Sequence, residues 1–182
     1  MFGYGSLAAE TDFRPTRELA AHGWVANLAA HRRVWGVAMD NGVAVPGYKR
    51  YLDPDTGEPP VVMVAFLDVV PDPGAAVNGV LAPVTGEDLR TLDRRERNYR
   101  RVDVTDLVRP AVGARVWTFV GRPDARERLR SGLATGGAVV SRGYLESVER
   151  GFRGLEEGEW ERYAASTEPP PCPVRDLRRV EL

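Results

Sequence analysis

The order of elements along the chain predicts an α+β domain in which strands come first and helices last. Three observations carry this reading. Apolar runs with strand spacing dominate the first 120 residues, a single helical pattern interrupts them near residue 90, and amphipathic helical spacing returns only after residue 121. Residues 1–120 are therefore expected to be mainly β with one helix, 121–167 helical, and 168–182 an extended tail, all within one domain spanning 1–182. A chain of 182 residues has the size of a single domain. At that size about 70% of the surface of the unfolded form is buried, so neither a disulfide nor a structural metal is needed.

Phe2 to Leu7, interrupted by Gly3 and Gly5, reads as a strand running into a tight turn. Trp24–Leu28 and Arg33–Met39 read as two further strands, followed by a turn at Asp40-Asn41-Gly42. Residues 46–60 hold four prolines and two glycines and are expected to form a loop. The apolar run Val61–Val70 reads as a buried strand and Ala76–Val84 as another, with Asn78-Gly79 marking a bulge or a close backbone approach. Thr85 is placed to cap a helix over 86–98, with Glu87 and Asp88 in the first turn, where the helix dipole favours acids. Strands at Arg101–Val108 and Ala114–Val120 follow. Helices are expected at Asp124–Leu133, at Ser141–Leu155 with Leu145, Val148, Phe152 and Leu155 on one stripe, and at Glu157–Ala165.

Composition excludes several classes of function. With 43% hydrophobic and 28% charged residues and a net charge of −1, the chain is neither disordered nor a strongly basic nucleic-acid binder. No stretch approaches the roughly 20 apolar residues needed to span a bilayer, and no basic-then-apolar leader opens the sequence, so a cytoplasmic protein without a membrane partner is expected. Cys172, His22 and His31 cannot supply a four-ligand zinc site unaided, so no metal is expected. Lys49, the only lysine, lies between Tyr48 and Arg50 in the proline-rich stretch and is expected to be solvated; Schiff-base chemistry would rest on it alone. Cys172, in a proline run, has no base nearby to activate it.

Two places hold candidate chemistry. On the 86–98 helix, Leu89, Leu92, Glu96 and Tyr99 fall within an arc of roughly 80° if the helix reaches Tyr99, so Glu96 shares an apolar stripe. A carboxylate there is either desolvated and poised for proton transfer, or a solvated ion-pair member at a frayed, charged helix end. Arg94 and Arg97 project to other faces, whereas Arg95 is close enough to pin Glu96. The run RRERNYRR also invites nucleic-acid binding, but Asp88, Asp93, Asp103 and Asp106 offset its charge locally. The second place is Gly3-Tyr4-Gly5-Ser6-Leu7, where two glycines allow successive N–H groups to face an anion or a carbonyl oxygen, or simply make a turn. It has neither the Gly-Lys-Ser/Thr ending of a phosphate loop nor the setting of a serine nucleophile.

Three segments together resemble the gamma-glutamylcyclotransferase-like superfamily, which includes the ChaC-type enzymes. FGYGSL at 2–7 is similar to its N-terminal Y-G-S loop. VNGVLAPV at 77–84 followed by LRTLDRRERNYRRVDV at 89–104 is similar to its glycine-containing strand and L-D-x-x-E segment. SRGYLESVERGFRGLEEGEWERY at 141–163 resembles its C-terminal helical segment. The resemblance implies a small mixed, barrel-like sheet flanked by helices. It also implies a cofactor-independent reaction in which the α-amine of a γ-glutamyl compound attacks its own γ-carbonyl to give 5-oxoproline. Carried over residue by residue, it makes Glu96 the acid/base and Tyr4, Gly5, Ser6 and Leu7 the substrate cradle; Tyr99 is placed either to orient Glu96 or the substrate, or to be an ordinary packed aromatic at the start of a strand. Many members have a glycine and a longer loop after the glutamate, whereas here Arg97-Asn98-Tyr99-Arg100-Arg101 follows at once and changes one cavity wall. Free γ-glutamyl amino acids, γ-glutamyl amines, a tripeptide thiol and a γ-glutamyl-protected intermediate all fit this chemistry, and the arginines either favour an anionic leaving portion or face solvent. The rival from another class is a small-carboxylate-binding or interaction module on the same scaffold without turnover. Oligomeric state is not set by composition.

Overall fold

The computed structural model describes residues 1–8 and 23–182; His22 lies outside them. The frame is an antiparallel pair of long strands, β2 (Trp24–Asp40) and β4 (Met63–Leu81), which follow the short β1 (Phe2–Gly3) and enclose β3 (Lys49–Leu52). Each long strand is one element where the sequence suggests two, and the register explains why. Ala29 pairs with Ala76 and His31 with Pro71, so Asp72–Ala75 bulge out opposite the single residue Ala30, which adopts a positive φ of 55°. The prolines at 71 and 73 thus sit at a bulge, where a missing N–H costs the ladder nothing, and they do not end the strand.

At Asn78-Gly79 the ladder runs on without a bulge. A side chain on Gly79 would collide with the Gly3 carbonyl and, at 2.8 Å, with the Phe2 ring, so the glycine serves the close approach of β1, whose Phe2 pairs with Leu81. The remaining strands are β5 (Tyr99–Asp103), β6 (Val108–Arg109), β7 (Trp117–Gly121), β8 (Ala138–Ser141), β9 (Val174–Arg175) and β10 (Arg178–Glu181). The main sheet runs β6-β2-β4-β8-β9 with β1 added beside β4, and it is mixed because β8 lies parallel to both β4 and β9. β5 pairs with β7, and β3 with β10.

Among the described residues four helices complete the α+β fold: α1 (Gly86–Arg95), α2 (Pro123–Ala134), α3 (Arg142–Arg153) and α4 (Glu159–Ala165). Thr85 caps α1 in a reciprocal capping box with Asp88, and Pro123 stands in the first turn of α2. On α3 the expected stripe faces inward, with Val148 and Phe152 fully buried. Three expectations need correction. The 46–60 loop contains β3, because Tyr48 and Tyr51 bury against the core and β10 supplies a partner strand. The 168–182 tail is extended but not free, since it holds β9 and β10. The stretch before α3 holds β8, four buried residues too few to show a period.

Candidate active site

The opening turn is built by β1 and by the 3-10 turn Ser6–Ala8, closed by an Ala8 N–H bond to the Gly5 carbonyl at 2.8 Å. Gly3 is required because a Cβ there would lie 2.8 Å from the Leu7 backbone. The first amides of such a turn have no acceptor within it. Tyr4 is buried and donates its hydroxyl to the Phe119 carbonyl at 2.7 Å. Its own carbonyl accepts the Arg33 Nε–H at 2.9 Å, so the turn is tied from both sides. Leu7 is buried in a cluster with Leu92 of α1 and Phe119, against which Tyr99 also packs.

Helix α1 stops at Arg95 and does not run to residue 98. Glu96 is its C-cap, with φ −87° and ψ 51°, and its N–H donates to the Leu92 carbonyl at 2.8 Å. The inward stripe survives this early stop: Leu92 is fully buried and Glu96 is 9% exposed. Its partner is Arg95, whose Nε lies 3.4 Å from Oε1 with both side chains largely withdrawn from water. A solvated pair at a frayed end does not describe this arrangement. Arg94 and Arg97 are exposed, as their spacing predicts, and Arg97 donates to the carbonyls of Arg94 and Pro46.

Five of the six tyrosines gather in the field of the Glu96 carboxylate. Burial, and then neighbouring charges that include Glu96, push the hydroxyls of Tyr4, Tyr48, Tyr99 and Tyr144 well up and that of Tyr51 to about 12. At neutral pH all five keep their protons. The register shift between Trp35 and Val37 falls beside Leu67, whose peptide groups meet two of these rings. Its carbonyl accepts the Tyr99 hydroxyl at 2.7 Å, and its N–H donates to the Tyr144 oxygen at 3.2 Å. A Cβ on Gly5 would come within 3.4 Å of that same Tyr144 oxygen, so Tyr144 connects the opening turn to the tyrosine cluster.

Lys49 corrects the expectation of a solvated side chain. It is half-buried, with Nζ 3.9 Å above the centre of the Phe66 ring, which itself meets Tyr144 edge-on at 4.9 Å. Desolvation pushes its ammonium down to about 7, opposed by the attraction of Glu96. Pairing β3 with β10 puts it there, since Lys49 and Tyr51 share the face that meets Phe66.

The structure thus gathers Tyr4, Gly5, Leu7, Glu96 and Tyr99 around common packing and a common field, with Ser6 half-buried in the turn. Sequence reasoning does not single out Tyr48 or Tyr144, and it reads Lys49 as solvated. Tyr144 stands in the segment SRGYL that carries part of the resemblance, and Tyr48-Lys49-Arg50-Tyr51 is a short aromatic-bounded run that breaks an otherwise proline-rich loop. Two surface hollows, of about 850 Å³ along 103–115 and about 330 Å³ beside Trp35 and Pro169, include neither Glu96 nor the turn in their linings. Among the described residues no helix is long and apolar enough to cross a membrane.

The mixed α+β sheet brings the packing of the glycine-flanked turn next to the helix that Glu96 closes, with protonated tyrosine hydroxyls between them. The chain belongs to the gamma-glutamyl cyclotransferase, AIG2-like family, whose profile matches residues 1–137. Its fold is similar to that of a solved structure described as gamma-glutamyl cyclotransferase. The TM-score is 0.53 at 17% identity, over 93% of this chain and 87% of that one. A crystal structure of an uncharacterized protein from Homo sapiens is similar at TM-score 0.49 and 18% identity, with the same coverage of 93% and 87%. No curated protein sequence matches significantly.

Proposed function

We propose that the protein cyclises a γ-glutamyl compound to 5-oxoproline and releases the amine or amino acid from the γ-position, with Glu96 as general acid and base. The observation that carries this reading is the seating of Glu96. A carboxylate 9% exposed closes a helix whose Leu92 packs with Leu7 of the opening turn, and its charge is felt by Tyr4 within that turn. Membership of the gamma-glutamyl cyclotransferase, AIG2-like family supports this class of reaction.

In the proposed sequence Glu96 accepts a proton from the α-ammonium. The freed amine attacks the γ-carbonyl carbon, forming the ring C–N bond and an oxyanion, which the N–H groups at Gly5–Leu7 cradle. The bond to the original amide nitrogen then breaks as Glu96 returns the proton to that nitrogen, and the ring nitrogen gives its second proton to the released amine, which departs as an ammonium. Atoms and charge balance without a co-reactant. Because nucleophile and electrophile belong to one molecule, holding a folded near-attack conformer accounts for much of the barrier lowering. Tyr99 and Tyr144, fixed on the Leu67 peptide, supply rigid walls with protonated hydroxyls.

The test is incubation of the purified protein with a panel of γ-glutamyl amino acids and amines, followed by assay of 5-oxoproline. Wild type should form it, and Glu96→Gln should lose about 10²–10⁴ in turnover, the usual contribution of a positioned acid/base. A ligand that raises the unfolding temperature yet is recovered unchanged from wild type would instead identify a binding module. Turnover untouched in Glu96→Gln would remove Glu96 from the mechanism.

A further inference from the structure

At the corner of the fold where β3, β10 and the end of α1 meet, Lys49 lies among four other charges that act on it: Glu96, Arg95, Arg179 and Glu181. Glu96 is paired with Arg95 at 3.4 Å, and Arg179 with Glu181 through Nε at 3.1 Å. Lys49 lies in the field of all four and pairs with none. Among the described residues no carboxylate comes within 4.0 Å of its Nζ, and no oxygen accepts a hydrogen bond from it. What it has are ring faces: Phe66 at 3.9 Å and Tyr48 at 5.7 Å. An aromatic face attracts the ammonium as a whole but leaves its N–H bonds without acceptors. A cation withdrawn from bulk water, whose three donors find no acceptor among the described residues, has room for one anion.

The same corner belongs to the Glu96 neighbourhood. The Tyr48 hydroxyl accepts an N–H from Asn98, two residues beyond Glu96, and Phe66 leads through Tyr144 to Gly5. In the cyclisation the glutamyl part folds back on itself to close a five-membered ring, so its own carboxylate stays close to the reacting carbon. The leaving portion extends away from it. Phe66 and Tyr144 link Lys49 to the turn as successive contacts, which sets the ammonium beyond the turn's own amides.

We propose that Lys49 recognises a carboxylate on the leaving portion of the substrate, so that the protein prefers γ-glutamyl amino acids or peptides over γ-glutamyl alkylamines. This rests on the cyclotransferase reading above and narrows its substrate class. The backing strand β10 lies beyond the residues matched by the family profile, so the feature is one that the profile does not cover.

The experiment compares γ-glutamylglycine with γ-glutamylmethylamide, which share the glutamyl group and differ in the leaving carboxylate. Wild type should favour the first in kcat/KM by about tenfold or more, the scale of a charge-assisted hydrogen bond, with the difference lying mainly in KM. Lys49→Met should bring the ratio to within about threefold of unity, and Lys49→Arg, which keeps the charge, should restore part of it. Lys49→Gln serves where Lys49→Met does not fold. Equal losses on both compounds, or a wild type without preference, would overturn the proposal. Calorimetric Kd values for both compounds with Glu96→Gln separate it from the reading it rests on. A Kd ratio that depends on Lys49 in the absence of any 5-oxoproline production keeps the carboxylate site and discards the cyclotransferase, whereas no binding of either compound discards the site.

Discussion

Arg33 and Lys49 are both cations withdrawn from water against aromatic rings, and the protein treats them in opposite ways. Arg33 is 2% exposed and lies between Phe152 and Tyr163, 4.8 and 4.6 Å from the ring centres. Its guanidinium donates to the Tyr4 carbonyl at 2.9 Å, to the Asn78 carbonyl at 2.5 Å and to the Thr167 hydroxyl at 2.9 Å. Burial pushes it down only to about 10, so it stays charged at neutral pH. Lys49 has rings and, among the described residues, no acceptors. A cation that holds the fold together is saturated by the chain itself; one left unsaturated beside a withdrawn carboxylate has its bonds available to something that arrives. Arg33 also joins the opening turn to the end of α4 through Ser166 and Thr167, so the helical third braces the site from behind.

The strongest way to break this contrast is Arg33→Met. It strands the carbonyls of Tyr4 and Asn78 in the interior and should cost about 4 kcal/mol, read as a fall in the urea midpoint. Arg33→Lys should recover little, because one ammonium cannot reach Tyr4, Asn78 and Thr167 together. A variant as stable as wild type would mean that saturation does not mark a structural cation. Asp68 extends the test to the opposite charge. It is fully buried, accepts N–H groups from Gly121 at 2.7 Å and Val69 at 2.8 Å, and meets Arg126 at 2.8 Å. Asp68→Asn turns a donor toward donors and should cost about 2 kcal/mol, seen as a lower Tm.

The saturated region was the harder one to read from sequence, and for a physical reason. The apolar stripe of α3, the cap at Thr85 and the close approach at Gly79 are local or periodic, and each is visible in a few adjacent residues. Glu96 shows itself by its spacing from Leu89 and Leu92, although the helix ends sooner than that spacing requires. Arg33 meets Tyr4 across 29 positions and Thr167 across 134, and nothing local announces either. Lys49 misleads because its surroundings in sequence are prolines and polar residues. What buries it is β10, 129 or more positions along the chain. The bulge at Asp72–Ala75 has the same effect in reverse, since proline and glycine signals that ordinarily end strands are absorbed within β4 when a long partner continues on the other side.

Lys49→Met is the smallest and sharpest test, because its sign is opposite to that of Arg33→Met. The groups that face Lys49 are Glu96 and Arg95 at the end of α1, Arg179 and Glu181 of β10, Tyr48 and Tyr51 of β3, and the Phe66 ring. With the ammonium pushed down to about 7 in the folded chain and near 10.5 when unfolded, the unfolded chain holds more protons between those values, so stability rises with pH across that window. Below pH 7 both states are charged and the folded state carries the whole penalty. Replacing the stem and ammonium by an apolar side chain of similar length should therefore stabilise the ligand-free protein by about 1 kcal/mol at pH 6–7. The advantage should shrink toward pH 9–10. The Cys172 thiol and the Met1 amine also titrate near this range, the first pushed up and the second down to about 6, but both are common to wild type and variant and cancel in the difference. Urea unfolding of both proteins at pH 6.5 and 9 measures it. A Lys49→Met protein less stable than wild type at pH 6.5 would show that this lysine, like Arg33, serves the fold, and that its open donors are not held ready for a ligand.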